Sequence, residues 1–205
     1  MSAPSLFLAS ASPRRTALLH QIGVPHTVLA FPGIDETPRS DESAAGYVQR
    51  MAQEKARAGY RMLAPGQSDD AVVMGADTAV ISGDVILGKP ADDEEAVAML
   101  TRLSGATHQV LSAVCLHSRN ASVVKLSTTQ VQFRALDKAE ITAYVASGEP
   151  RGKAGAYAIQ GFGAVLVANL HGSYSGVVGL PLAETRQLLH GAGIALWQGV
   201  PQGQA

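Results

Sequence analysis

The sequence predicts an α/β fold, a sheet flanked by helices, and three observations carry that expectation. Short apolar or β-branched runs interleave along the chain with helical stretches, an order that favours α/β layering over a bundle or a sandwich. Hydrophobic residues make up 46% of 205 positions, enough for one large domain or two small lobes sharing a core. Turn signals such as Gly23-Val24-Pro25 and Ser82-Gly83-Asp84 separate those runs.

Residues 5–9 read as a short buried strand. Ser12 and Pro13 then supply an N-cap and a proline at the first helical position, predicting a helix to about residue 22 that Gly23-Val24-Pro25 stops. A second strand is expected over 26–30, and 31–41 is a polar loop. A long helix is predicted over 43–62, with Val48, Met51, Ala52, Lys55 and Gly59 along one stripe. The apolar run 71–81 reads as a strand that turns at Ser82-Gly83-Asp84 into another over 85–87. Helix 92–103 carries an acidic first turn; strands follow over 108–117 and 122–133, then a helix over 137–146. The glycine-rich stretch 152–179 holds a strand at 164–170, and a helix over 182–189 leads into a strand at 194–197. Residues 1–198 thus read as a single domain and 199–205 as a frayed, flexible tail.

Composition excludes several classes of function. Sixteen basic side chains nearly balance seventeen acidic ones, so no global field draws the chain to nucleic acid or anionic lipid, and any anion site is local. Cys115 is the only cysteine, which rules out an intrachain disulfide and suits a reducing compartment. The opening residues lack the basic region and apolar run of a signal peptide. No stretch approaches the ~18 uninterrupted apolar residues of a membrane span. The expectation is a cytoplasmic, globular protein.

A few residues break local rules. Arg14 and Arg15 fall in a first helical turn, where the macrodipole disfavours cations; an anion there would satisfy the helix N–H groups and both arginines, although two solvated arginines would look the same. Lys55 on an apolar stripe either snorkels along the face or enters a polar cleft. Asp77 stands within a run apolar on both faces, and a buried carboxylate demands a cation, a metal or a set of donors. Its alternative is an Asp at a strand end bonding backbone N–H groups. Lys89 in Gly88-Lys89-Pro90 and the loop acid Glu36 are ambiguous alone. The run Asp92-Asp93-Glu94-Glu95 reads as dipole-complementing charge, not a metal site. Residues 148–154 resemble a phosphate-binding loop only faintly, since the spacing is short and Ala154 replaces Ser/Thr. Cys115 and His117 share a strand face and read as core, and the six histidines show no metal-ligand spacing.

Four cations (Arg14, Arg15, Lys55, Lys89) and two acids (Glu36, Asp77) form the inventory that phosphoryl chemistry needs. The motifs that hold them resemble the Maf family of nucleoside triphosphate pyrophosphatases. They are Leu8-Ala9-Ser10-Ala11-Ser12-Pro13-Arg14-Arg15, Ile34-Asp35-Glu36-Thr37, Ala52-Gln53-Glu54-Lys55-Ala56, Gly75-Ala76-Asp77-Thr78 and Gly88-Lys89-Pro90. Leu103-Ser104-Gly105, Tyr144-Val145, Lys153-Ala154-Gly155-Ala156-Tyr157, Gln160-Gly161, Gly172-Ser173-Tyr174 and Val178-Gly179-Leu180-Pro181-Leu182 follow in the family's order. Gly176, where the family often has Asn, is a departure.

The resemblance implies an elongated mixed sheet flanked by helices, with two lobes around a deep cleft as in the inosine-triphosphate pyrophosphatases. It implies cleavage between the α- and β-phosphates with a divalent cation, Mg²⁺ or Mn²⁺, held by Asp77 and Glu36. Asp77 matches the family's proton acceptor; Ser10, Arg14, Arg15, Lys55 and Lys89 match its phosphate-handling residues. Arg14, Thr78 and Gln160 look like the branch that takes dTTP, UTP and modified pyrimidine nucleotides, not the 7-methyl-GTP branch. A Gln amide, donor and acceptor at once, can read a pyrimidine edge. The family also allows a homodimer and is linked to nucleotide-pool sanitising or to cell division. The rival readings are a sanitiser of deaminated purine triphosphates, a regulatory nucleotide sensor without turnover, and a nucleic-acid module. The last is disfavoured by the near-zero charge and the 5% aromatic content.

Overall fold

The computed structural model describes residues 4–67 and 70–198, so the tail expected at 199–205 lies outside the described residues. The elements run β1 (Ser5–Leu8), α1 (Pro13–Gln21), β2 (Thr27–Val28), α2 (Ala44–Arg61), β3 (Ala71–Ser82), β4 (Val85–Leu87), α3 (Asp93–Leu103), β5 (Thr107–His117), β6 (Ser122–Phe133), α4 (Lys138–Ala146), β7 (Val167–His171), α5 (Tyr174–Val178) and α6 (Leu182–Gly191). Two 3₁₀ turns, Ala154–Ala156 and Phe162–Leu166, stand before β7. The strands form a seven-stranded sheet in the order β2-β1-β3-β5-β6-β7, with β4 also on β3. It is mixed: β1 is parallel to β2 and β3, whereas β3–β4 and β6–β7 are antiparallel. Among the described residues no helix is long and apolar enough to cross a membrane.

The chain divides into two compact units, one of Met1–Asp77, Ala113–Leu126 and Gly179–Ala205, the other of Thr78–Ser112 and Ser127–Val178. In the first, the apolar β1 lies in register with Ala71–Met74 of β3. Burial on both faces of β3 explains why its sequence is a near-continuous apolar run and not an alternation. Ser43 caps α2 by accepting from the Gly46 N–H at 3.1 Å, and Val48, Met51 and Ala52 of the predicted stripe are fully buried, as is Ala56 beside them. Two glycines let this helix close on the strands. A Cβ at Gly59 would meet the Ala9 side chain at 2.6 Å, and one at Gly75 would run into the backbone of Ala52 and Ala56. Cys115 is fully buried, which pushes its thiol pKa up; His117 packs edge-on against Tyr60 at 5.1 Å. The pair belongs to the packing, as expected.

In the second unit the acidic run does what its position suggested. Asp92 caps α3 by accepting from the Glu95 N–H at 2.8 Å, Glu95 reaches back to the Ala91 N–H, and Asp93 pairs with Arg151 at 3.3 Å. Asp137 and Glu140 form a reciprocal capping box on α4. His108, Phe133 and Tyr157 stack edge to face in the core, and burial pushes His108 down to about 4, so the ring is neutral at pH 7.

Four local expectations need correction. The second strand shrinks to Thr27–Val28, because only Phe7 and Leu8 of the short β1 face it. The strand expected at 164–170 starts later, since a 3₁₀ turn takes up residues 162–166, and α5 was not foreseen. Residues 194–197 are not a strand. Trp197 has φ +60°, and the N–H groups of Trp197 and Gln198 bond Ile22 O and Gly23 O at 2.9 and 2.7 Å, which folds the segment onto the end of α1. Ser12 occupies the N-cap position of α1, but its side chain makes no capping bond.

The Gly75 contact is a test of the first unit. Gly75→Ala is expected to destabilise the protein by about 1–3 kcal/mol in urea unfolding, because the added methyl meets helix backbone that has no rotamer to change. Gly191→Ala, where a Cβ would meet nothing within 4 Å, is the control and should change stability little.

Candidate active site

Asp77 closes the first unit's share of β3, in the middle of the strand, and Lys55 lies on the buried stripe of α2. Their residues are each 8% exposed, and Lys55 Nζ donates to Asp77 Oδ1 at 2.7 Å. The same nitrogen is 2.7 Å from Glu36 Oε1, which arrives from the loop before α2. Lys55 therefore does not snorkel, and Asp77 is not a strand-end Asp bonding amides. One buried ammonium holds two carboxylates from two other segments. The Gly75 contact sets this geometry, because it fixes α2 against the strand two residues before Asp77.

Beside this cluster stands the start of α1. Ser10 is buried and its Oγ accepts from the Ser12 N–H at 3.2 Å and from Arg15 Nη1 at 3.0 Å. Arg15 Nε donates to Gly179 O at 2.9 Å, so the side chain is fixed at both ends. Desolvation draws the Arg15 pKa down; the charges of Asp77 and Glu36 oppose that, and Arg14 adds to it. An arginine does not lose its proton for this, so the site keeps a desolvated, permanent positive charge at a helix N-terminus. Arg14, half-buried, occupies the same first turn. A ligand anion would compensate that charge.

Two side chains missing from the sequence reading hold the loop that carries Glu36. Tyr47 donates its hydroxyl to Glu36 O at 2.9 Å. Its pKa is pushed up to about 12 by burial and by the carboxylates Asp77 and Glu36. Arg50, one turn further along α2, donates to Thr37 O at 3.2 Å and grips both oxygens of Glu42 at 2.7 Å. A tyrosine and an arginine in an amphipathic helix have no local signature of such work, because their partners lie before the helix.

Thr78, Lys89 and Gln160 belong to the second unit. Thr78 Oγ1 shares a hydrogen bond of 2.9 Å with Ser112 Oγ, which donates onward to Gly176 O at 2.5 Å. The position where the family often has Asn thus contributes a backbone carbonyl here. Lys89 is exposed between β4 and α3, and Gln160 is exposed in the turn before the 162–166 3₁₀ segment. Lys153 of the faint phosphate-loop lookalike donates to the Glu149 and Arg151 carbonyls, an internal use of that ammonium.

The donor set fits a divalent metal of the Mg²⁺ kind. Asp77 and Glu36 are the residues that could hold it, since both carboxylates converge on one cationic atom. Mg²⁺ is commonly held by one or two carboxylates, with water and substrate phosphates completing its shell.

A family described as "Maf-like protein" matches residues 5–192. The chain is 60% identical over 194 residues to a "dTTP/UTP pyrophosphatase" of Alcanivorax borkumensis, covering 94% of this chain and 98% of that protein. Proteins of the same description from Bordetella pertussis and Shewanella oneidensis are each 50% identical, over 94% and 93% of this chain and 95% and 99% of theirs. Among solved structures, a HAM1 protein from Coxiella burnetii superimposes with a TM-score of 0.43 at 18% identity, over 63% of this chain and 73% of that one.

Removing the shared cation tests the cluster. Lys55→Met leaves two carboxylates facing each other and is expected to destabilise the protein by about 3–5 kcal/mol at pH 7. Urea unfolding of Lys55→Met at pH 7 should show this loss; a variant as stable as wild type would contradict the arrangement.

Proposed function

The chain belongs to the Maf family, and from that membership we propose that it hydrolyses dTTP and UTP, with modified pyrimidine triphosphates, to the monophosphate and pyrophosphate. The shared description of its close relatives carries the substrate, and the Lys55–Asp77–Glu36 cluster supports the chemistry. A cytoplasmic nucleotide pool is the setting in which such an activity has its substrate.

Asp77 is assigned the role of base. Its carboxylate orients a water in line with the α-phosphorus and accepts a proton as the new P–O bond forms. The bond from the α-phosphorus to the bridging oxygen breaks, and pyrophosphate leaves with the electron pair. Lys55 fixes the Asp77 carboxylate until substrate arrives and then faces the phosphates. Arg15, held rigid by Ser10 and Gly179 O, needs no reorganisation to stabilise the developing charge, and Arg14 and Lys89 add to it. Asp77 and Glu36 would hold the divalent cation, Mg²⁺ or Mn²⁺, which would neutralise charge on the phosphates. Thr78 and Gln160 are assigned to the nucleoside, with the Gln160 amide reading the pyrimidine edge.

The purified protein with Mg²⁺ or Mn²⁺ should convert dTTP and UTP, but not 7-methyl-GTP or ITP, to the monophosphate and pyrophosphate. Turnover confined to ITP or 7-methyl-GTP would overturn the substrate assignment, and binding without any turnover would favour a nucleotide sensor. Asp77→Asn should lower kcat by about 10²–10⁴-fold while nucleotide binding is largely retained. Near-normal turnover in that variant would remove Asp77 from its role.

A further inference from the structure

One polar cluster of the second unit takes no part in the chemistry described so far. Glu149 follows α4, and its carboxylate accepts three hydrogen bonds: from Tyr144 Oη at 2.8 Å, from the Phe162 N–H at 3.0 Å and from the Gly163 N–H at 2.8 Å. Tyr144, 8% exposed, accepts in turn from the Ala158 N–H at 3.2 Å. Burial alone would raise the Glu149 pKa; the bonds from Tyr144 and the two amides, helped by Lys153, outweigh it and hold the carboxyl below its ordinary range. The side chain is therefore ionised at pH 7, and all three bonds are charge-assisted.

The three anchored amides bracket Gln160. Ala158 lies two residues before it, and Phe162 and Gly163 lie two and three after it. The loop is also moulded to the clamp. Gly161 has φ +99°, and a Cβ there would collide with Glu149 Oε1. A Cβ at Gly163 would meet the Tyr144 hydroxyl at 2.7 Å. A glycine on each side of Phe162 thus allows the loop to descend onto the acid, while Gln160 itself stays exposed. An isolated loop of this length would lose considerable backbone entropy on presenting one amide in one orientation.

We propose that Tyr144 and Glu149 form a positioning clamp that presents Gln160 to the nucleobase, so that pyrimidine discrimination depends on two side chains that do not touch substrate. The inference rests on the base-reading role given to Gln160 above. The carboxylate replaces the water that would otherwise solvate the loop amides, and the reading amide is ordered before the nucleotide binds. Such a clamp acts on binding and selectivity, not on the attack at phosphorus.

The test is a double-mutant cycle in the intact protein, with UTP and CTP as competing substrates. Tyr144→Phe and Glu149→Gln should each raise KM for UTP about tenfold and compress the UTP-over-CTP preference, with kcat changed by less than about threefold. Gln160→Ala should do the same, and Tyr144→Phe combined with Gln160→Ala should be no worse than Gln160→Ala alone, because the clamp acts through that one side chain. Amide exchange at Phe162 and Gly163 should speed up in Glu149→Gln, which reports on the loop without reference to activity. Additive effects in the cycle, or unchanged KM and preference in a folded Tyr144→Phe protein, would overturn the clamp while leaving the pyrophosphatase reading intact. Absence of UTP turnover in the wild type would instead overturn that reading and the clamp's role with it.

Discussion

Burying Asp77 is the constraint from which the first unit follows. A carboxylate in a strand covered on both faces needs a cation close by, and α2 supplies it through Lys55. That requires the helix to approach more closely than a side chain at Gly75 would allow, and the missing Cβ makes the approach possible. The lysine then has capacity left for a second acid, which gives Glu36 a place and draws its loop against the first turns of the helix. Strand, helix and loop are thus registered to one another by a single ammonium group.

The second unit solves its loop problem with the opposite charge. Where Lys55 gathers carboxylates, Glu149 gathers backbone amides, and each holds a short connecting segment in place. Both devices satisfy polar groups that would be costly to leave unmet away from water. Both also need glycine beside them, for close approach in one case and for a left-handed backbone in the other.

What could be read from the sequence was what local pattern decides. The stripe of α2, the acidic start of α3 and the apolar run of β3 follow from periodicity and capping, so their boundaries agree closely with the structure. Asp77 and Lys55 stood out because each violated its own local pattern. Tyr47 and Glu149 violated nothing: a tyrosine on a helix and a glutamate after one are ordinary, and only partners elsewhere in the chain give them work. The same holds for the misread 194–197 segment. Its apolar residues fit a strand, and long-range bonds to Ile22 and Gly23 decided otherwise.

Cys115, a minor member of the core, has a practical consequence. It is the only thiol in the chain, it is fully buried, and burial suppresses its thiolate. The native fold is therefore silent to maleimides, and an engineered surface cysteine would be the sole reactive group. A fluorophore or spin label attached there could follow the 158–163 loop without first removing a native residue.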